Sequence, residues 1–121
     1  MKKKFMPMIL LAGVLTATLS FTPMIWAQEA PRTINITVKR FSYDPAEITL
    51  KKGEPVVLVL KSLDVAHGLK IKDLGVNVKV KAGGTAEVQF TPEKTGDFVG
   101  RCSVFCGSGH GSLMLKLHVV D

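Results

Sequence analysis

The chain has 121 residues, 46% of them hydrophobic and 21% charged, with a formal net charge of +6 and two cysteines. That length supports one domain and leaves no room for a second. The basic residues are spread along predicted strands with no aromatic interleaving, which argues against nucleic-acid binding.

Lys2, Lys3 and Lys4 open the chain, and Phe5 to Ala27 follows without a charge. A basic start, an apolar run and a small residue before a polar stretch form the pattern of a secretory signal, here cut after Ala27. The alternative is a retained membrane anchor. The run reaches the about 20 apolar residues that a span needs, but Pro7 and Pro23 shorten its helical part to Met8–Thr22. Removing residues 1–27 leaves 94, in which 13 Lys and Arg face 10 Asp and Glu, a net +3. This mild excess suits a solvated surface; if it is used, it favours an anionic partner by steering. A domain of this size buries roughly 60–65% of its unfolded surface, so the cysteines are not needed as a staple. Residues 28–32 read as a loose lead-in and 33–121 as the folded domain.

The domain reads as strands. Thr33–Phe41 alternates, with Ile34, Ile36 and Val38 on one face, and Glu47–Lys51 repeats the pattern with Ile48 and Leu50. After the turn Lys52-Gly53-Glu54-Pro55 comes Val56–Lys61, a continuous apolar run expected of a strand covered on both faces. Val76–Lys81, Thr85–Thr91, Asp97–Arg101 and Leu113–Val120 complete the set. In the last of these Leu113, Leu115, Leu117 and Val119 share a face, while Met114 points with Lys116 and His118. No segment of the domain has a helical period. Seven or eight short strands spaced by Gly and Pro turns predict an all-β, antiparallel sandwich.

Chemistry concentrates in Arg101–Met114 (RCSVFCGSGHGSLM), where Cys102, Cys106 and His110 stand four residues apart in succession. His67 lies 35 residues before Cys102, in DVAHGLKI, just after the long apolar strand. Thiolates with imidazoles select copper or zinc. Gly107, Gly109 and Gly111 let the loop fold back without steric penalty. Two cysteines in one loop can bridge two copper ions, with His67 and His110 capping one each. Two blander readings stay open: a Cys102–Cys106 disulfide in an oxidising compartment, and a tetrahedral zinc site. His118 reads as an exposed strand residue, and Phe98 and Phe105 as packing around the site. Ser103 and Ser108 have no base arranged for nucleophilic chemistry, so no catalytic residue is predicted.

The loop, with its following Met and upstream His, resembles the CuA loop of cytochrome c oxidase subunit II and of nitrous oxide reductase. FSYDPAEITLKKGE, DVAHGLKI, LGVNVKVKAGG and FTPEKTGDF extend the resemblance over nearly all of residues 33–121. It implies a cupredoxin-like Greek-key β-sandwich holding a binuclear copper centre. Cys102 and Cys106 would bridge two coppers, His67 and His110 would bind one each, and the Val104 carbonyl would be a weak ligand. Met114 is the implied axial thioether, although the family's Met falls one position earlier, where Leu113 stands. The expected activity is electron transfer in the periplasm or another exported compartment, without a small-molecule substrate. The expected partner is a redox protein such as a c-type cytochrome or a terminal oxidase. Copper storage or delivery, and a membrane-anchored oxidase subunit, are the alternatives. An aromatic entry cluster is missing, since Trp26 is the only Trp and lies in the leader.

Overall fold

The computed structural model describes residues 12–23 and 30–121. The expected cut after Ala27 and the basic start lie outside the described residues. Residues 12–22 carry no regular structure, and no helix among the described residues is long and apolar enough to cross a membrane.

Nine strands follow in chain order: β1 (Arg32–Lys39), β2 (Ser42–Asp44), β3 (Glu47–Lys51), β4 (Val56–Ser62), β5 (His67–Ile71), β6 (Val76–Val80), β7 (Thr85–Phe90), β8 (Gly96–Arg101) and β9 (Met114–Val120). Short 3-10 turns occupy Lys72–Leu74 and His110–Ser112. The strands form a four-stranded sheet, β2-β1-β4-β7, and a five-stranded sheet, β3-β9-β8-β5-β6.

Period-two alternation places one residue in two between the sheets. Ile36 and Val38, Ile48 and Leu50, Leu58 and Leu60, Leu69 and Ile71, and Leu115, Leu117 and Val119 are all buried there. Each such side chain contributes roughly 1.5–3 kcal/mol by leaving water, enough to hold the strand phases in register. β4 is one-sided, against expectation. Its inward Val56, Leu58 and Leu60 are buried, but Val57 and Val59 on the other face are only half-buried.

Two further departures concern topology. β1 pairs with β4, and β3 with β9, in parallel, so the sandwich is mixed. The chain leaves the first sheet after β2, forms β3 in the second and returns, which brings β4 beside β1 in the same direction. β2 and β5 are additional strands. Tyr43 on β2 is buried within a segment of only three residues, too short to show alternation. His67 opens β5, pairing with Val80 of β6.

Candidate metal centre

The loop between β8 and β9 closes the end of the sandwich where β5 begins. Cys102 directly follows β8, and His67 is the first residue of the neighbouring β5. One donor atom each from His67, Cys102 and Cys106 lies within 4.8 Å of the others, and all three residues are buried. The two sulfurs are 3.6 Å apart and both thiols are free. A disulfide needs about 2.05 Å, so this pair is not bonded. His110 Nδ1 lies 3.7 Å from Cys106 Sγ, and the Val104 carbonyl oxygen 3.0 Å from Cys102 Sγ. Five of the six expected donors therefore converge.

Met114 does not join them. It is 40% exposed, opposite Arg101 in the β8–β9 register, whereas Leu113 is fully buried. The loop ends in a 3-10 turn at His110–Ser112 without the extra residue that would rotate Met114 inward. Strand phase decides the matter: Leu113 continues the inward row of Leu115 and Leu117, and Met114 shares the outward row of Lys116.

His67 is held by its neighbours. Its Nε2 lies 2.6 Å from Asp64 Oδ1. Asp64 also accepts the backbone N–H groups of Arg40 at 2.8 Å and Val65 at 2.7 Å. Partial burial works against ionisation of Asp64. The hydrogen bonds from Arg40, His67 and Val65, together with the nearby imidazole, outweigh it and lower its pKa to about 2. In the neutral ring, an Nε2–H that donates to the Asp64 carboxylate places the lone pair on Nδ1. That Nδ1 is buried and has no hydrogen-bond partner. A buried polar atom without a partner costs about 1–3 kcal/mol, and here it sits beside two thiols. The unpartnered nitrogen, the unbonded sulfurs and the soft donor set fit a copper or zinc ion. Asp64 is then the carboxylate that orients a ligating histidine.

The sulfurs are tuned as well. The Gly68 N–H donates to Cys102 Sγ at 3.4 Å, and Tyr43 Oη donates to the Gly68 carbonyl at 2.6 Å. Burial, then the neighbouring Cys102, push the Cys106 thiol up to about 11. Burial first, and then the two cysteines, likewise push the Tyr43 phenol above its ordinary range.

The glycines of the loop divide by role. A Cβ on Gly109 would lie 2.5 Å from the Phe41 ring and one on Gly107 3.1 Å from it, whereas Gly111 meets nothing within 4 Å. Gly107 also has φ +135°, which side chains disfavour. The loop thus lies flat on Phe41, and only two of the three glycines are needed for it. Phe105 departs from its expected packing role. It is 79% exposed, with its ring 5.6 Å from that of His110, because the loop turns it to solvent. Phe98 packs on the core from β8.

Asp64, Gly68 and Phe41 escape pattern reading. Asp64 has a weak signal, an acid three residues before a candidate ligand His; the other two have none.

Comparison with known proteins follows the same lines. A family model described as a cupredoxin-like domain matches residues 8–114. Cytochrome c oxidase subunit 2 of Thermus thermophilus is 30% identical over 88 residues, covering 69% of this chain and 65% of that protein. Nitrous-oxide reductase of Ralstonia nicotianae is 37% identical over 91 residues, covering 72% of this chain but 14% of the reductase. The chain thus spans just under two thirds of the first relative's length and a small part of the second's. The crystal structure of the periplasmic domain of subunit II of cytochrome oxidase of Bradyrhizobium japonicum shares the fold. Its TM-score is 0.69 at 22% identity, over 78% of this chain and 87% of that one. By sequence, by architecture and by the two cysteines gathered against a buried histidine, this chain belongs to the cupredoxin-like domain family.

Proposed function

We propose that this chain is an exported, periplasmic electron carrier that holds two copper ions and turns over no substrate. The observation that carries the reading is the unpartnered, buried Nδ1 of His67 beside two free, buried thiols. The donor set also holds a second imidazole. A ring nitrogen of His67 lies within 4.8 Å of both sulfurs, and His110 Nδ1 lies 3.7 Å from Cys106 Sγ. Two imidazoles about a thiol pair suit two ions, which Cys102, Cys106, His67 and His110 would hold. Such a pair would supply a one-electron couple in which the charge change is shared over metals and sulfurs.

The chain's own residues do the rest. Asp64 holds the His67 ring so that Nδ1 faces the thiols. The Tyr43 hydroxyl fixes the Gly68 carbonyl, and the adjoining N–H hydrogen-bonds sulfur. Leu113 packs with the buried cysteines in the core, and Phe41 backs the glycine loop. These contacts set donor positions before metal arrives, so little rearrangement accompanies an electron. Residues 1–27 would direct export and then be removed. The partner would be a redox protein such as a c-type cytochrome or a terminal oxidase.

The test is to load the purified protein with copper and record its absorption and electron paramagnetic resonance spectra. An unpaired electron shared by two copper nuclei is expected, and Cys106→Ser should abolish that signal. A spectrum from a single nucleus would sink the two-ion reading. Met114→Leu is expected to leave the reduction potential unchanged, since Met114 points to solvent. Copper delivery is a second reading, favoured by the partial exposure of His110 at the loop surface. It predicts ready loss of copper to a chelator in place of a stable reversible couple.

A further inference from the structure

The outer face of the five-stranded sheet is uneven in charge. At the end away from the candidate centre, His118 is bound between Asp97 and Glu47. At the near end, Lys70 of β5, Arg101 of β8 and Met114 of β9 form one register row. Val99 and Lys116 face outward in the next row, and Lys72 adjoins from its 3-10 turn. Among the described residues, none of Lys70, Lys72, Arg101 and Lys116 has an ion-pair partner.

The first three of these cations border a cavity of about 340 Å³ lined by Lys70, Lys72, Val99, Arg101, Cys102 and Ser103. No carboxylate lines it, and one of its walls is Cys102 itself. Val99 and Met114 are 47% and 40% exposed on the same face. The surface thus combines unpaired like charges, which repel one another across neighbouring strands, with an apolar centre and a wall that includes the ligand residue Cys102.

We infer that this face docks a redox protein whose contact surface carries carboxylates around an apolar patch; the inference rests on the electron-carrier reading. Carboxylates over Lys70, Lys72 and Arg101 relieve the repulsion and steer the encounter. Val99 and Met114 supply the apolar centre that a specific contact needs. The cations spread over three strands and extend past the cavity to Lys116, which matches a protein surface better than a small anion. A partner seated there lies against Cys102 with no strand between, so an electron passes between its redox group and the centre through the Cys102 side.

The test uses plant-type ferredoxin, an acidic one-electron iron–sulfur protein, as the probe. Titrated into the metal-free, ¹⁵N-labelled protein, it is expected to shift the amides of Lys70, Val99, Arg101 and Met114. Lys70→Glu with Arg101→Glu should weaken binding about tenfold or more, as loss of steering charges does. Lys51→Glu with Lys61→Glu makes the same net charge change away from the cavity, on β3 and on β4 of the other sheet, and should have little effect. Equal weakening by both pairs, or shifts centred on Phe105, would overturn the inference. Binding of hexacyanochromate(III) at the cavity without binding of ferredoxin would mark a small-anion site and overturn it as well. With copper-loaded protein, reduced ferredoxin gives up one electron and the loaded centre gains it, and the charge-reversed pair should slow this by a similar factor. If ferredoxin binds at this face but the copper-loaded protein accepts no electron, the surface stands and the electron-carrier reading fails.

Discussion

His67 and His118 lie on the same sheet and each engages a carboxylate, yet their surroundings assign them different work. His67 is fully buried, with Nε2 on Asp64 and Nδ1 on nothing. His118 is partly exposed, with Nδ1 2.5 Å from Asp97 and Nε2 on Glu47. Both nitrogens of His118 are used, so it has no lone pair to offer and closes an ion cluster across β3, β8 and β9. His67 has one nitrogen used and one unpaired, in a place where water cannot pair it. Holding an unpaired buried nitrogen costs free energy unless another partner arrives, and two thiols beside it indicate what that partner is. A carboxylate next to a histidine is therefore ambiguous until the second nitrogen is accounted for.

The largest expected effect divides the two residues outright. His67→Asn should abolish copper binding, measured as copper retained per chain after desalting, while His118→Asn should leave it unchanged. Loss of copper in both variants would break the contrast. The carboxylates come next. Asp64→Asn should weaken copper binding about 10–100-fold, the usual cost of removing a ligand's orienting partner. Asp97→Asn should not weaken it, and competition against a chelator of known affinity compares the two.

The backbone around the site sharpens the picture further. Gly109→Ala drives a methyl into the Phe41 ring and should cost about 1–3 kcal/mol by overpacking. Gly111→Ala, in open space, should be close to neutral in the same urea titration. The smallest effect belongs to His118. Hydrogen bonds from Asp97 and then Glu47 raise its pKa. A raised folded value means that the folded state holds the proton more tightly than the unfolded one. The stabilisation is complete below the unfolded value of about 6.5 and disappears as pH rises through the folded one. The Tm difference between the native protein and His118→Gln should accordingly be larger at pH 5.5 than at pH 9. A difference that grows with pH would show that the cluster does not act through charge.

Much of this was readable beforehand. Alternation marks Ile36, Val38, Ile48, Leu50, Leu115, Leu117 and Val119 as inward-facing, because a two-residue period needs no knowledge of the partner strand. The same rule, carried back into the loop, places Leu113 inside and Met114 outside, and the structure follows strand phase, with Leu113 inward at the position where the family's Met falls. β2 and β5 resisted because three residues are too few for a pattern, and because HGLKI buries Gly68 in the phase of exposed Lys70, so that the strand does not alternate cleanly. The parallel pairs resisted because strand direction depends on which sheet the chain enters between two strands.

The spacing of Cys102, Cys106 and His110 determined that three donors share one loop, since four residues of turn cannot carry them far apart. It could not determine what His67 does. That depended on β5 lying beside β8, on Asp64 reaching Nε2, and on the Gly68 peptide lying between the Tyr43 hydroxyl and the Cys102 sulfur. The same holds for the cationic face, whose members, Lys70, Lys72, Arg101 and Lys116, are scattered in sequence and meet only when three strands pair. Local spacing follows from bond lengths and dihedral limits. Contacts between distant residues, and the unpaired charges and atoms they leave, exist only once the sandwich has closed.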